Sequence, residues 1–119
     1  IVVGTSVSFA RNVLDGLYMG SLTGPRVKLN AAYEQAHDEA IVAAAGEALR
    51  QRVGQVHDAQ LAGEPEVSPT NCVTTVWLVT AEERSFQMRT VLDTRGQLSG
   101  LDFQLEEGGV WIPLGGSLL

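Results

Sequence analysis

Cysteine is nearly absent: Cys72 stands alone, so no disulfide can form within the chain. A reducing compartment fits this, and so does an extracytoplasmic domain large enough to hold together without a bridge. Histidine is scarce too, with only His37 and His57, twenty residues apart, so no Cys/His cluster has zinc-ligand spacing. Neither Gly-x-x-x-x-Gly-Lys nor Gly-x-Gly-x-x-Gly occurs, which removes the common phosphate-cradling loops. Gly-x-Ser-x-Gly is missing as well, and with it the usual nucleophile turn of a hydrolase. No metal or cofactor is expected on these grounds. No apolar run approaches the roughly 18 to 20 residues that a membrane-spanning helix needs.

Positive charge is short: eight Lys and Arg face fourteen Asp and Glu, a formal net charge of −6. Nucleic acid is a poor partner for such a chain, because binding it depends on basic side chains displacing counterions from phosphates. The imbalance is also uneven. Residues 1–57 carry five acids and five bases, whereas residues 58–119 carry nine acids and three bases, so a solvated acidic surface is expected in the second half.

What remains is a globular composition. The 119 residues are 45% hydrophobic and 18% charged, enough for one core without metal or disulfide staples. Phe9, Val13 and Leu17, flanked by Ala10, Leu14 and Tyr18, recur at helical spacing after Thr5 and Ser6, and Gly20 with Gly24-Pro25 ends that helix. Asn30 caps a short second helix to Ala36. Ile41, Ala45, Leu49 and Val53 form the stripe of a third, with Asp38 and Glu39 in its first turn, Arg50 and Arg52 in its last, and Gly54 at its end. Gly46 weakens it from within.

From Asp58 the period becomes alternating. A strand is predicted within Ala59–Val67, a second over Cys72–Thr80, a third through Phe86, Met88 and Leu92, and a fourth through Leu101, Phe103 and Leu105. The Asp93–Gln97 turn places Gly96 at the left-handed position of a bulged hairpin. Parity turns Trp77 inward, and sends Cys72, Val76, Leu78 and Asp102 to the other face.

The stretch Phe9–Leu22, the segment Asn30-Ala31-Ala32-Tyr33 and the Thr90–Phe103 hairpin with its Asp-x-x-Gly turn are similar to the nuclear transport factor 2-like, or cystatin-like, α+β domains. More narrowly, residues 6–105 resemble small bacterial extracytoplasmic domains of unknown function. The resemblance implies three helices packed on a curved four-stranded antiparallel sheet, enclosing a pocket that is catalytic in some members and only a core or dimer surface in many. A single domain over residues 6–107 is expected. Residues 1–5 would be a trimmed segment, the end of a membrane anchor or the opening of a strand, and residues 108–119 a Gly-rich apolar tail packed on the domain or on a second chain.

Tyr18, Tyr33, Trp77 and Phe103 are the candidate pocket lining; core is the better reading for Trp77, Trp111, Tyr33 and Phe103. Enzymes of the resembling group direct attention to Tyr18 and Asp102, a pair that fails because Asp102 alternates with the inward Leu101 and Phe103. His37-Asp38 and His57-Asp58 look like imidazole–carboxylate units, yet each pair flanks the third helix as a cap or turn would. Glu82, Glu83, Glu106 and Glu107 fall at one end of an up-down meander, where four carboxylates suit Ca²⁺, though solvated surface charge fits them better. The leading expectation is a non-enzymatic interaction or sensing domain, extracytoplasmic through an upstream anchor, forming a homodimer or taking an unknown protein or small apolar ligand. An isomerase-like enzyme using the pocket and a purely structural dimer module are the other readings.

Overall fold

The computed structural model describes residues 6–22 and 27–118. The anchor-or-strand expectation for residues 1–5, the Thr5 cap and the Gly24-Pro25 stop lie outside the described residues. The fold is α+β. No helix among the described residues is long and apolar enough to cross a membrane.

Three helices come first among the described residues. Helix α1 (Val7–Met19) starts where the Ser6 side chain accepts from the Phe9 amide, and it buries Phe9, Ala10, Val13, Leu14 and Leu17. It ends in a Schellman motif, with the Ser21 amide on the Gly16 carbonyl and the Gly20 amide on that of Leu17. Helix α2 (Ala31–Ala36) is capped by Asn30. Helix α3 (Glu39–Val53) is capped by Asp38, whose carboxylate accepts from the Ile41 amide at 3.0 Å.

Gly46 does more than weaken α3. A Cβ built on it would lie 2.0 Å from the Leu17 carbonyl oxygen, so α3 crosses α1 backbone against backbone at this residue. Only glycine permits that approach.

The sheet has the strands β1 (Val56–Leu61), β2 (Glu66–Val67), β3 (Val73–Ala81), β4 (Ser85–Leu92), β5 (Leu98–Gln104) and β6 (Ile112–Pro113). All pairings between these strands are antiparallel, in the order β1-β3-β4-β5-β6, with β2 also on β3. Six strands therefore replace the expected four, for two reasons. The predicted first strand is broken into β1 and β2 by Ala62-Gly63-Glu64-Pro65, where proline offers no amide to a ladder. The tail contributes β6, which pairs Ile112 with Phe103 and Pro113 with Asp102.

Parity sorts the sheet as anticipated. Trp77, Val79, Phe86, Met88, Leu101 and Phe103 join Ala45, Leu49 and Val53 of the expected α3 stripe in one core, with Val42 buried beside them and Ile41 only half-buried at the edge. The tail packs back on the domain, with Leu114 and Leu118 each only 3% exposed.

Between β4 and β5, Gly96 takes a φ of +75°, the conformation its place in the turn demands. Asp93 organises that turn: one carboxylate oxygen accepts from the Arg95 and Gln97 amides, the other from the Asn30 side chain at 2.8 Å. The Asn30 hydrogen bond, with help from the two amides, holds the Asp93 carboxyl below its ordinary value. Asn30 thus caps α2 with its oxygen and fastens the distant hairpin with its nitrogen.

We expect Gly46→Ala to lower stability by about 3 kcal/mol, because a methyl group at a backbone crossing must push two helices apart. Phe103→Ala should cost about 3 to 5 kcal/mol as a cavity in the core. Gln104→Ala should cost about 1 kcal/mol, the worth of one hydrogen bond to the Gly109 carbonyl. Urea unfolding of the three variants checks the ranking, and equal losses at positions 103 and 104 would contradict the assignment of faces.

Candidate functional site

The four candidate pocket residues are not brought together. Trp77 and Phe103 are both 0% exposed and sit inside a filled core. The Trp77 indole donates to the Thr90 hydroxyl at 3.1 Å, and the Phe103 ring lies 6.4 Å from that of Phe86 in a tilted pair. No buried side-chain polar atom among the described residues lacks a partner. Thr90, 0% exposed, shares the inward parity of Met88 and Leu92. A buried indole needs an acceptor, and a threonine on the adjoining strand supplies it.

Tyr18 faces the end of α3 instead of the interior. Its hydroxyl donates to the Gly54 carbonyl at 2.6 Å. The Arg50 guanidinium stands 5.1 Å from the ring centroid and donates to the Tyr18 carbonyl at 2.9 Å. Burial raises the phenol's pKa; Arg50 opposes the shift and Glu82 adds to it.

Tyr33 lies where α2 meets β5. Its ring packs on His37 at 4.2 Å, and the main chain of Leu101 hydrogen-bonds its hydroxyl. Burial, reinforced by the Asp102 carboxylate, pushes this phenol far above its ordinary value. Both tyrosines act as latches between elements, and neither shares a cleft with the other.

The His-Asp units resolve into caps and turns. His37 ends α2 with Nδ1 2.9 Å from the Tyr33 carbonyl, and Asp38 begins α3. His57 is exposed beside the irregularity in β1, where its carbonyl accepts from Arg11, and the Asp58 carboxylate accepts from the Ala59 amide. Glu82 spends its carboxylate on the Gln55 amide at 2.8 Å, which docks the β3–β4 turn on the end of α3. Among the described residues no group of three or more His, Cys, Asp or Glu could hold a metal ion.

The clefts are open surface grooves of about 160 to 330 Å³. One, of about 330 Å³, runs past Asp15, Tyr18, Arg50 and Gln55, with Arg50 already engaged. Two others, of about 250 and 160 Å³, lie on either side of the tail and share Ser117 and Leu118. None of these grooves, which are lined by described residues, is an enclosed chamber.

The sheet face turned away from the core is the most distinctive surface. Val76 and Leu78 of β3, Gln87, Arg89 and Val91 of β4, and Asp102 and Gln104 of β5 are half-buried there. Arg89 is the centre of this face. Its Nε donates to the Asp102 carboxylate at 3.0 Å while the guanidinium covers the Trp111 ring at 4.4 Å. Arginine suits both contacts because its planar fork stacks and hydrogen-bonds at once.

Tyr18 and Tyr33 are the only tyrosines, so the 295 nm absorbance of the native protein reads them alone. We expect both to ionise above the ordinary value of 10.0, with Tyr33 the later. The sign follows: a folded pKa raised above the unfolded one gives stability that is complete below pH 10 and drains away as the pH climbs beyond it. Tyr33→Phe should flatten the steeper part of that alkaline loss; native ionisation of either tyrosine below pH 10 would contradict the latch assignment. No protein-family model, curated protein or solved structure matches the chain, so its geometry alone speaks for its function.

Proposed function

We propose that the chain is a non-catalytic interaction module of the nuclear transport factor 2-like, or cystatin-like, type, which associates with a second copy of itself through the outer face of its sheet. The observation that carries this reading is the contrast between an interior whose buried side-chain polar atoms are all partnered among the described residues and an outer face with apolar positions around a paired charge. Three helices followed by an antiparallel meander support the fold type.

Charge favours a second copy over an unlike partner. Two chains of −6 repel wherever their acids meet. The acids of the second half fall largely on turns: Glu82 and Glu83, Asp93, and Glu106 and Glu107 lie outside the strands. The middle of the outer face is balanced, with Arg89 against Asp102, and a two-fold axis through it sets each arginine near the other chain's aspartate. Val76, Leu78 and Val91 supply apolar area around that pair.

Sedimentation velocity at micromolar concentration tests the reading. A dimer is expected, and Leu78→Glu should weaken it at least tenfold, about 1.4 kcal/mol, by setting two new carboxylates on a face whose Arg89 is already paired with Asp102. Circular dichroism of the variant separates this from unfolding. A strictly monomeric wild-type chain would overturn the proposal.

A further inference from the structure

The sixth strand is only two residues long, yet it holds the edge of β5 together with the rest of the tail. The Leu114 amide bonds to the Leu101 carbonyl at 2.9 Å, and Arg52 reaches from α3 to the Leu118 carbonyl at 2.9 Å. Leu114 and Leu118 are the buried anchors, while Gly115, Gly116 and Ser117 between them are exposed. The tail lies over Ile41, Ala44, Ala45 and Ala48 with an open groove of about 250 Å³ still beside it. It is a seated peptide, attached to its groove by a few separable contacts.

The join to the domain is a tight turn. The Gly109 amide bonds to the Glu106 carbonyl at 2.9 Å, and Gly108 at the bend has a φ of +74°. A Cβ on Gly109 would meet the Glu106 carbonyl oxygen at 3.0 Å, and two adjacent glutamates precede the bend. Short, tight hinges of this kind favour exchange of the segment beyond them, because opening the hinge loses one turn while every contact of the segment is kept in the partner.

We infer that two copies of the chain exchange residues 108–118, each tail occupying the groove between α3 and β5 of the other. This rests on the self-association proposed above and names the segment that fastens it. Exchange extends the hinge and leaves the anchors Leu114 and Leu118, the Arg52 hydrogen bond and the β5–β6 ladder as they are, now between chains. The occupant is the one sequence already shown to fit the groove.

The test uses the full-length chain with Cys72→Ser, Ala44→Cys and Ser117→Cys, two exposed positions that line the same groove. Monomer and dimer fractions from size exclusion are treated with a short bis-maleimide and run on a denaturing gel. Exchange predicts a link between chains in the dimer fraction and within one chain in the monomer fraction. Links within one chain in both fractions would overturn the exchange and leave sheet-face association standing, whereas no dimer fraction would overturn both. No link in either fraction would show that the tail does not lie beside α3, and so would also overturn the exchange. Gly108→Val, which a β-branched side chain makes hard to hold at positive φ, should raise the dimer fraction severalfold by light scattering. An unchanged or smaller dimer fraction in a folded variant counts against the inference.

Discussion

The contact on which the rest of the structure depends is the backbone crossing of α1 and α3 at Gly46. With no side chain there, the Leu17 carbonyl sits where a Cβ would stand, and the two helices form one thin slab over the sheet. The two helices bury small residues, Ala10, Ala45 and Ala48, beside larger ones, Phe9, Leu14, Leu17 and Leu49. The sheet adds Trp77, Phe86, Met88 and Phe103 to the same core. Close helices and bulky strands are complementary parts of one packing solution, since interiors fill to near-crystalline density. A glycine in the middle of a helix costs about 1 kcal/mol relative to alanine, which is small beside the burial that the approach allows.

The polar groups follow the same logic of joining elements. Asn30 links α2 to the β4–β5 turn, Glu82 links the β3–β4 turn to the end of α3, and Tyr18 and Tyr33 tie α1 to α3 and α2 to β5. Residue types that look chemical in the sequence are consumed as fasteners. The raised phenol pKa values express this burial, because a phenol taken out of water to fasten two elements is costly to ionise.

Much of this was legible from residue order, and the reason is local. Ser6, Asn30 and Asp38 declare helix starts by the chemistry of their own side chains, and the alternation from Phe86 to Phe103 places each residue on a face without reference to its neighbours. The long-range facts were not legible. That Gly46 marks a crossing depends on Leu17, twenty-nine positions away, and pattern alone reads it as a defect in the helix. Tyr18 keeps helical company with Leu14 and Leu17, yet half a turn decides whether a ring enters the core or lies along its rim against Arg50. The tail shows no period because two buried leucines separated by exposed glycines do not repeat as a helix or a strand does. The broken first strand was anticipated as one piece, since β1 and β2 are rows of the same edge interrupted by a bend.

The two tryptophans occupy opposite sides of the sheet, and this gives the molecule a pair of separable optical reporters. Trp77 is sealed in the core with its indole hydrogen-bonded to Thr90, so its emission is that of an apolar, rigid surrounding. Trp111 is half-exposed beneath the Arg89 guanidinium, just beyond the glycine bend, so its emission is that of a ring in contact with water and a cation. Red-edge excitation selects the second and blue-edge detection the first. Loosening of the interior and rearrangement of the outer face therefore register in different parts of one fluorescence spectrum, without a label.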